Sequence, residues 1–140
     1  MKIITREIIK QTKGNCEIVN LTEDMIELLR ESGLREGNCT VFSVGSTSAI
    51  TTMEYEPGLI KDVPKFLDEI IPQFKNYHHN ETWGDGNGHS HLRSSLYKSS
   101  LTVPFVNGEF FLGTWQQVVF LDFDNRKRTR RIIFQFIGEE

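Results

Sequence analysis

The stretch after residue 100 constrains the fold most. "LTVPFV" and "EFFLG" flank Asn107-Gly108, a dipeptide that readily takes the positive φ of a two-residue hairpin turn. "TWQQVVFLDF" and "RRIIFQFIG" then flank Asp124-Asn125, which suggests a second hairpin. All four runs are rich in β-branched and aromatic residues. A chain that closes on strands joined by short turns needs an antiparallel sheet, and any helices must come earlier.

They do. Residues 2–10 and "NCEIVNL" (15–21) read as two strands, expected to open the chain as a hairpin. Thr22 precedes "EDMIELLRESG". It is the expected N-cap of an amphipathic helix with Glu23 and Asp24 in its first turn and Gly33 as its stop. "NCTVFSVG" and "TSAITTMEY" suggest two further strands. "KDVPKFLDEIIP" suggests a second helix, capped by Asp62, with Pro64 in its first turn and an end near Pro72. A loop over 75–88 and a short helix from about Ser90 to Tyr97 follow. The predicted class is therefore α+β, one domain spanning residues 1–140, in the order ββαββα(α)ββββ, with a bent, mostly antiparallel sheet.

Net charge is −3, which disfavours nucleic acid held by bulk charge. The opening residues lack the long apolar core of a signal peptide or membrane span, so a cytoplasmic protein with no membrane partner is expected. Cys16 and Cys39 lie far apart without a CxxC spacing and read as buried thiols.

All 4 histidines fall between His78 and His91. Imidazole is both the commonest metal ligand and a neutral-pH acid or base, so this crowding points to chemistry. The plainer alternative is a hydrated polar loop. His78 and His79 are neighbours, so at most one should face a given site. If the helix begins at Ser90, His89 and His91 can both border a pocket at its N-terminus, where free amides suit an anion. Gly84, Gly86 and Gly88 allow positive φ or a close approach to a ligand. Asp85 and Asn87 can supply oxygen ligands or orient an imidazole. No standard zinc spacing is present. Glu54 and Glu56, two apart, can face one way; Arg126, Arg128 and Arg130 share one face if their segment is a strand. Trp83 and Trp115 can wall a pocket, although Trp115 on a late strand is more often core.

The run "NYHHNETWGDGNGHSHLRSSLYKSSLTVPFVNGEFFLGTWQQVVFLDFDNRKRTRRIIFQFIGE" resembles the YjbQ-like family, labelled secondary thiamine-phosphate synthase. The resemblance rests on Tyr-x-His, a loop Asp, an Asn-x-x-x-His-Leu segment, "SLTVPFVNG", "GTWQ" and the terminal "R…GE". It implies a bent or bifurcated sheet, a homotrimer, and a transferase with weak thiamine-phosphate synthase activity on a small phosphorylated heterocycle. Position by position it implies roles for His79, Asp85, His91, Trp115, Gln116 and Arg130 or Arg131. Ser46 stands where the family often has a histidine, and His89 is expected to replace that imidazole.

The resulting site has His79, His91, Asp85 and Glu54 as catalytic groups. Arg130, Asn87, Trp115 and Gln116 hold the ligand, and His79, His89 and His91 bind a divalent ion, zinc or magnesium. The alternatives are a non-catalytic trimeric module that binds a metal or metabolite, and a metal-dependent hydrolase.

Overall fold

The computed structural model describes residues 1–140. Its elements run β1 (Lys2–Thr12), β2 (Glu17–Asn20), α1 (Thr22–Ser32), β3 (Glu36–Val44), β4 (Ser48–Met53), α2 (Pro57–Ile70), α3 (His78–Trp83), α4 (Gly88–Tyr97), β5 (Ser100–Val106), β6 (Glu109–Phe110), β7 (Gln117–Asp122) and β8 (Arg128–Glu139). The fold is α+β, as the strand and helix patterns predict, with the short α3 added inside the expected loop. None of its helices is long and apolar enough to cross a membrane.

Two antiparallel sheets form, in the orders β1-β8-β3-β5-β6 and β2-β7-β4. The burial of β7 explains how they stack. Val118 and Phe120 join one apolar cluster with Phe134 and Phe136 of β8 and Met25 and Leu29 of α1. Val119 and Leu121, on the opposite parity, join a second cluster with Leu67 of α2. The three-stranded sheet is thus a middle layer between the five-stranded sheet and the later helices, apolar on both faces. A strand covered on both sides reads as a continuous apolar run, which is what "VVFL" is.

The Asn107-Gly108 hairpin forms as predicted. Both residues have positive φ, 55° and 76°, and Val106 pairs with Glu109. The other two expected hairpins do not. β1 pairs with β8 and β2 with β7, so each short connection carries the chain from one sheet to the other. Local turn chemistry announces a reversal but not whether the strand returns to the same sheet. Strands distant in sequence decide that, by covering the apolar face each segment offers.

Two helix starts also differ from expectation. Thr22 lies inside α1 and makes no cap; its hydroxyl accepts the Val118 amide at 2.9 Å, tying the helix to β7. Helix α2 begins earlier than expected, because the Glu56 carboxylate accepts the Gly58 and Leu59 amides and Pro57 takes the first turn, where no amide is needed. Asp62 and Pro64 therefore lie within the helix. Cys16 and Cys39 are both free and buried.

Candidate functional site

The polar residues of the site grow from the same alternation that builds the core. On β8, Arg130 shares the inward parity of Ile132, Phe134 and Phe136; on β7, Asp122 shares that of Val118 and Phe120. Where the two sheets meet at that end, the inward residues turn from apolar to charged. Arg130 Nε and Nη2 bind the Asp122 carboxylate at 2.8 and 2.7 Å, and Nη2 also reaches Thr47 Oγ1 at 2.8 Å. Such a planar fork on a carboxylate fixes the guanidinium in place. Thr12 Oγ1 donates to the same carboxylate. Asp124 continues the network, accepting from Arg128 Nε at 2.9 Å, Thr47 at 3.1 Å and the Asn125 amide at 2.8 Å. Burial pushes the Asp124 carboxyl up, but the Asn125 amide and the Arg128 guanidinium outweigh it and hold the group below its ordinary range.

Helix α4 is set against this network by two serines one turn apart. Ser90 Oγ donates to the Phe123 carbonyl, and Ser94 Oγ donates to the Ser48 carbonyl at 2.6 Å. Helix α3 meets the start of α4 through the Asn80 side chain, which accepts the Gly88 amide at 2.9 Å. A Cβ at Gly88 would stand 2.7 Å from Tyr77 Cβ and 3.0 Å from Asn80 Oδ1, so the two short helices touch only because residue 88 has no side chain. Gly88→Ala is expected to cost about 1–3 kcal/mol through this overpacking, measurable as a lowered urea midpoint.

That contact brings His79 of α3 against His91 of α4. Their ring centroids are 4.3 Å apart with planes inclined at 38°. Both border a cavity of about 380 Å³, together with Trp83, Asp85, Asn87, Arg128, Arg130 and the Gly45–Thr47 turn. Asp85 Oδ1 lies 3.9 Å from His79 Nδ1, too far for a hydrogen bond. His79 Nδ1 and Asn87 Oδ1 are buried and have no partner. Burial, and then the adjacent His79 ring, hold the His91 imidazole below its ordinary pKa. Arg130 spends Nε and Nη2 on Asp122 and Thr47, and its Nη1 lies where a Cβ at Gly45 would come within 3.0 Å. A glycine at that turn keeps the guanidinium edge uncovered.

Several expected members lie elsewhere. Helix α4 starts at Gly88, ahead of the predicted Ser90, so His89 and His91 are both helical and point roughly 200° apart. His89 borders a different cavity, with Arg93, and does not take the place of the imidazole absent at Ser46. Glu54 is exposed beyond β4, and Glu56 is spent on capping α2. Trp115, expected to hold the ligand, is 72% exposed in the turn before β7. Gln116 donates to Thr52 Oγ1 at 3.1 Å and accepts the Gly113 amide at 3.0 Å. Neither borders the histidine cavity. Arg131 is exposed and paired with Glu7, so of the two it is Arg130 that borders the cavity, beside Arg128.

The network of Asp122, Asp124, Thr47 and Arg128 is absent from the expectations drawn from sequence. A signal was available: Asp-x-Asp at 122–124 and Arg-x-Arg at 128–130 have matching parity on either side of a turn. As for metal, His79 and His91 supply two imidazoles, but no group of three or more His, Cys, Asp or Glu side chains in one chain is placed to hold an ion. Two imidazoles alone do not make a closed site.

The family model described as UPF0047 protein YjbQ-like matches residues 6–139. A UPF0047 protein of Methanothermobacter thermautotrophicus is 38% identical over 139 residues, covering 99% of this chain and 95% of the relative. The UPF0047 protein YugU of Bacillus subtilis is 32% identical over 131 residues, covering 93% and 96%. Among crystal structures, a YbjQ-like protein of unknown function from Sulfolobus solfataricus superposes with a TM-score of 0.93 at 28% identity, covering 99% of both chains. An uncharacterised YjbQ/UPF0047 protein of Clostridium acetobutylicum gives 0.86 at 32% identity, covering 94% and 99%.

Proposed function

The chain belongs to the YjbQ-like UPF0047 family, and from that premise we propose that its His79–His91 cavity binds a small phosphorylated heterocycle and carries out a group transfer of the thiamine-phosphate synthase type. One observation carries the reading. Two imidazoles in van der Waals contact share a cavity with two buried, unpartnered polar atoms, His79 Nδ1 and Asn87 Oδ1, and with an anchored arginine. Unpartnered buried polar groups are costly, and a ligand that hydrogen-bonds to both removes that cost.

In the proposed step, a thiazole phosphate nitrogen attacks the methylene carbon of an aminopyrimidine diphosphate. The C–N bond forms, the C–O bond to diphosphate breaks, and diphosphate leaves with the electron pair. The enzyme then needs charge complementarity at the leaving oxygens more than a nucleophile of its own. Arg130 Nη1 meets that need. His91, kept neutral at neutral pH by its burial, acts as a hydrogen-bonding or basic group, and Trp83 offers a face to a planar ring.

A homotrimer is part of this reading. Phe111 and Trp115 are 66% and 72% exposed, and large apolar side chains left open are suited to a subunit interface. In a trimer, the Trp115, Gln116 and Glu54 of a neighbour can complete a cavity that those of the same chain do not border. A divalent ion held by His79 and His91 takes its remaining ligands from substrate or from that neighbour; elemental analysis of purified protein tests it.

The decisive measurement is condensation of the two thiamine precursors by the purified protein. His91→Ala is expected to reduce turnover by at least about a hundredfold, the lower end of the range for loss of a general acid–base group. Activity that survives the substitution arises elsewhere. Ligand binding without any turnover in the unaltered protein would favour the non-catalytic module.

A further inference from the structure

The first turn of α4 separates two cavities. His91 and Asn87 border the one described above; His89 and Arg93, one turn apart on the opposite face, border another of about 320 Å³ on the side of α2. Lys65, Asp68 and Cys16 also line this second cavity.

His89 is 1% exposed, and its Nδ1 is buried without a partner. The hydrogen bonds nearby fix which form the ring takes. Ser90 Oγ lies 3.2 Å from His89 Nε2 and also donates to the Phe123 carbonyl. A serine hydroxyl has one proton. With that proton on the carbonyl, Ser90 can only accept from the ring, so Nε2 carries the hydrogen of the neutral imidazole. Nδ1 is then a bare acceptor, and whatever satisfies it must donate.

The charged groups lining the cavity are Arg93, Lys65 and Asp68; Asp124, which also acts on the ring, is paired with Arg128. Arg93 is 5% exposed and is held by the Ile71 carbonyl, which accepts from Nε at 3.1 Å and Nη2 at 2.8 Å. Its Nη1 makes no hydrogen bond within the chain. Asp68 Oδ1 lies 3.7 Å from Nη2 and balances one of the two cations, so one positive charge is left over.

We propose that this second cavity is a binding site for a small anion that carries its own hydrogen-bond donor, a hydroxy acid or a hydrogen phosphate, with its charge on Arg93 and Lys65 and its donor on His89 Nδ1. The combination of a surplus cation and a donor-demanding nitrogen distinguishes this occupant from a plain anion. The site is independent of the condensation chemistry proposed for the first cavity.

The test is nitrogen NMR of the 4 imidazoles during titration near neutral pH with glycolate, inorganic phosphate and acetate. Glycolate or hydrogen phosphate should shift the His89 Nδ1 signal saturably, in the direction of a newly hydrogen-bonded acceptor. Acetate, which has no donor when ionised, should bind at least about fivefold more weakly. Comparing phosphate with glycolate separates a phosphoryl site from a carboxylate site. Lys65→Ala, an exposed position that leaves the fold intact, should weaken binding about two- to fivefold, and His91→Ala should leave it unchanged. A His89 signal that no probe moves saturably overturns the proposal. So does acetate binding as tightly as glycolate, or binding that Lys65→Ala leaves untouched. The His79 and His91 signals report the first cavity separately, so failure at either site leaves the other's test standing.

Discussion

Asp122→Ala is expected to remove about 3–5 kcal/mol of stability, read from urea unfolding midpoints. The carboxylate is fully buried and accepts from Arg130 Nε and Nη2, Thr12 Oγ1 and the Asp124 amide. Removing it leaves the Arg130 guanidinium, itself 6% exposed, in a low-dielectric pocket. Asp124 at 4.0 Å compensates only in part. Most of the loss comes from that stranded charge and not from the intrinsic strength of the pair, because taking both ions out of water offsets much of their attraction. Asp122→Leu combined with Arg130→Met should therefore be markedly more stable than Asp122→Ala alone, while still losing the cavity's cation. If Asp122→Ala costs less than about 1 kcal/mol, Arg130 swings to solvent and is not the fixed wall of the site described here.

The same pair shows what the sequence makes legible. Several elements are legible from local pattern alone: "TWQQVVFLDF" as a strand, the Met25–Leu29 stripe of α1, and the Asn107-Gly108 turn. Those signals are local, since a strand's alternation or a turn's positive φ is set by a few adjacent residues. Sheet partnership is not local. The Gly14 and Asp124-Asn125 reversals look like hairpin turns in isolation, and only pairing with strands distant in sequence, β7 and β8 for the first and β1 to β4 for the second, determines that each reversal changes sheet.

The site divides along the same line. The crowding of histidines marks the segment that borders a cavity, where His79, His91, Asp85, Asn87 and Arg130 come together. His89 does not, because its direction depends on where α4 starts. Two residues' difference in that start turns a shared wall into two opposite faces. The Asp122–Arg130 and Asp124–Arg128 pairs are not legible in "NRKRTRR", which on its own has the pattern of a solvated basic run. Its burial at Arg130 follows only from the parity that β8 inherits from Phe134 and Phe136.

His89 supplies the second large effect, on acid stability. Burial pulls its pKa down to about 4, assisted by the Arg93 guanidinium and only partly opposed by Asp124 and Asp68. An unfolded-chain histidine titrates near 6.5. Between those two values the unfolded state binds a proton that the folded state refuses, so stability is complete above about pH 6.5 and falls as pH drops towards 4. At about 1.4 kcal/mol per pKa unit, the loss over that window is on the order of 3 kcal/mol. His91 is shifted in the same direction and adds to the slope. The check is the difference in unfolding free energy between pH 7 and about pH 4.5, for the unaltered protein and for His89→Gln, which keeps a polar group but cannot take up the proton. The substituted protein should lose distinctly less stability on acidification, whatever its stability at neutral pH. Identical pH dependence in the two would mean that His89 is protonated in the folded state at ordinary values. The helix start would then be open enough to hydrate the ring, and the neutral, donor-seeking Nδ1 inferred from the Ser90 hydrogen bond would not exist there.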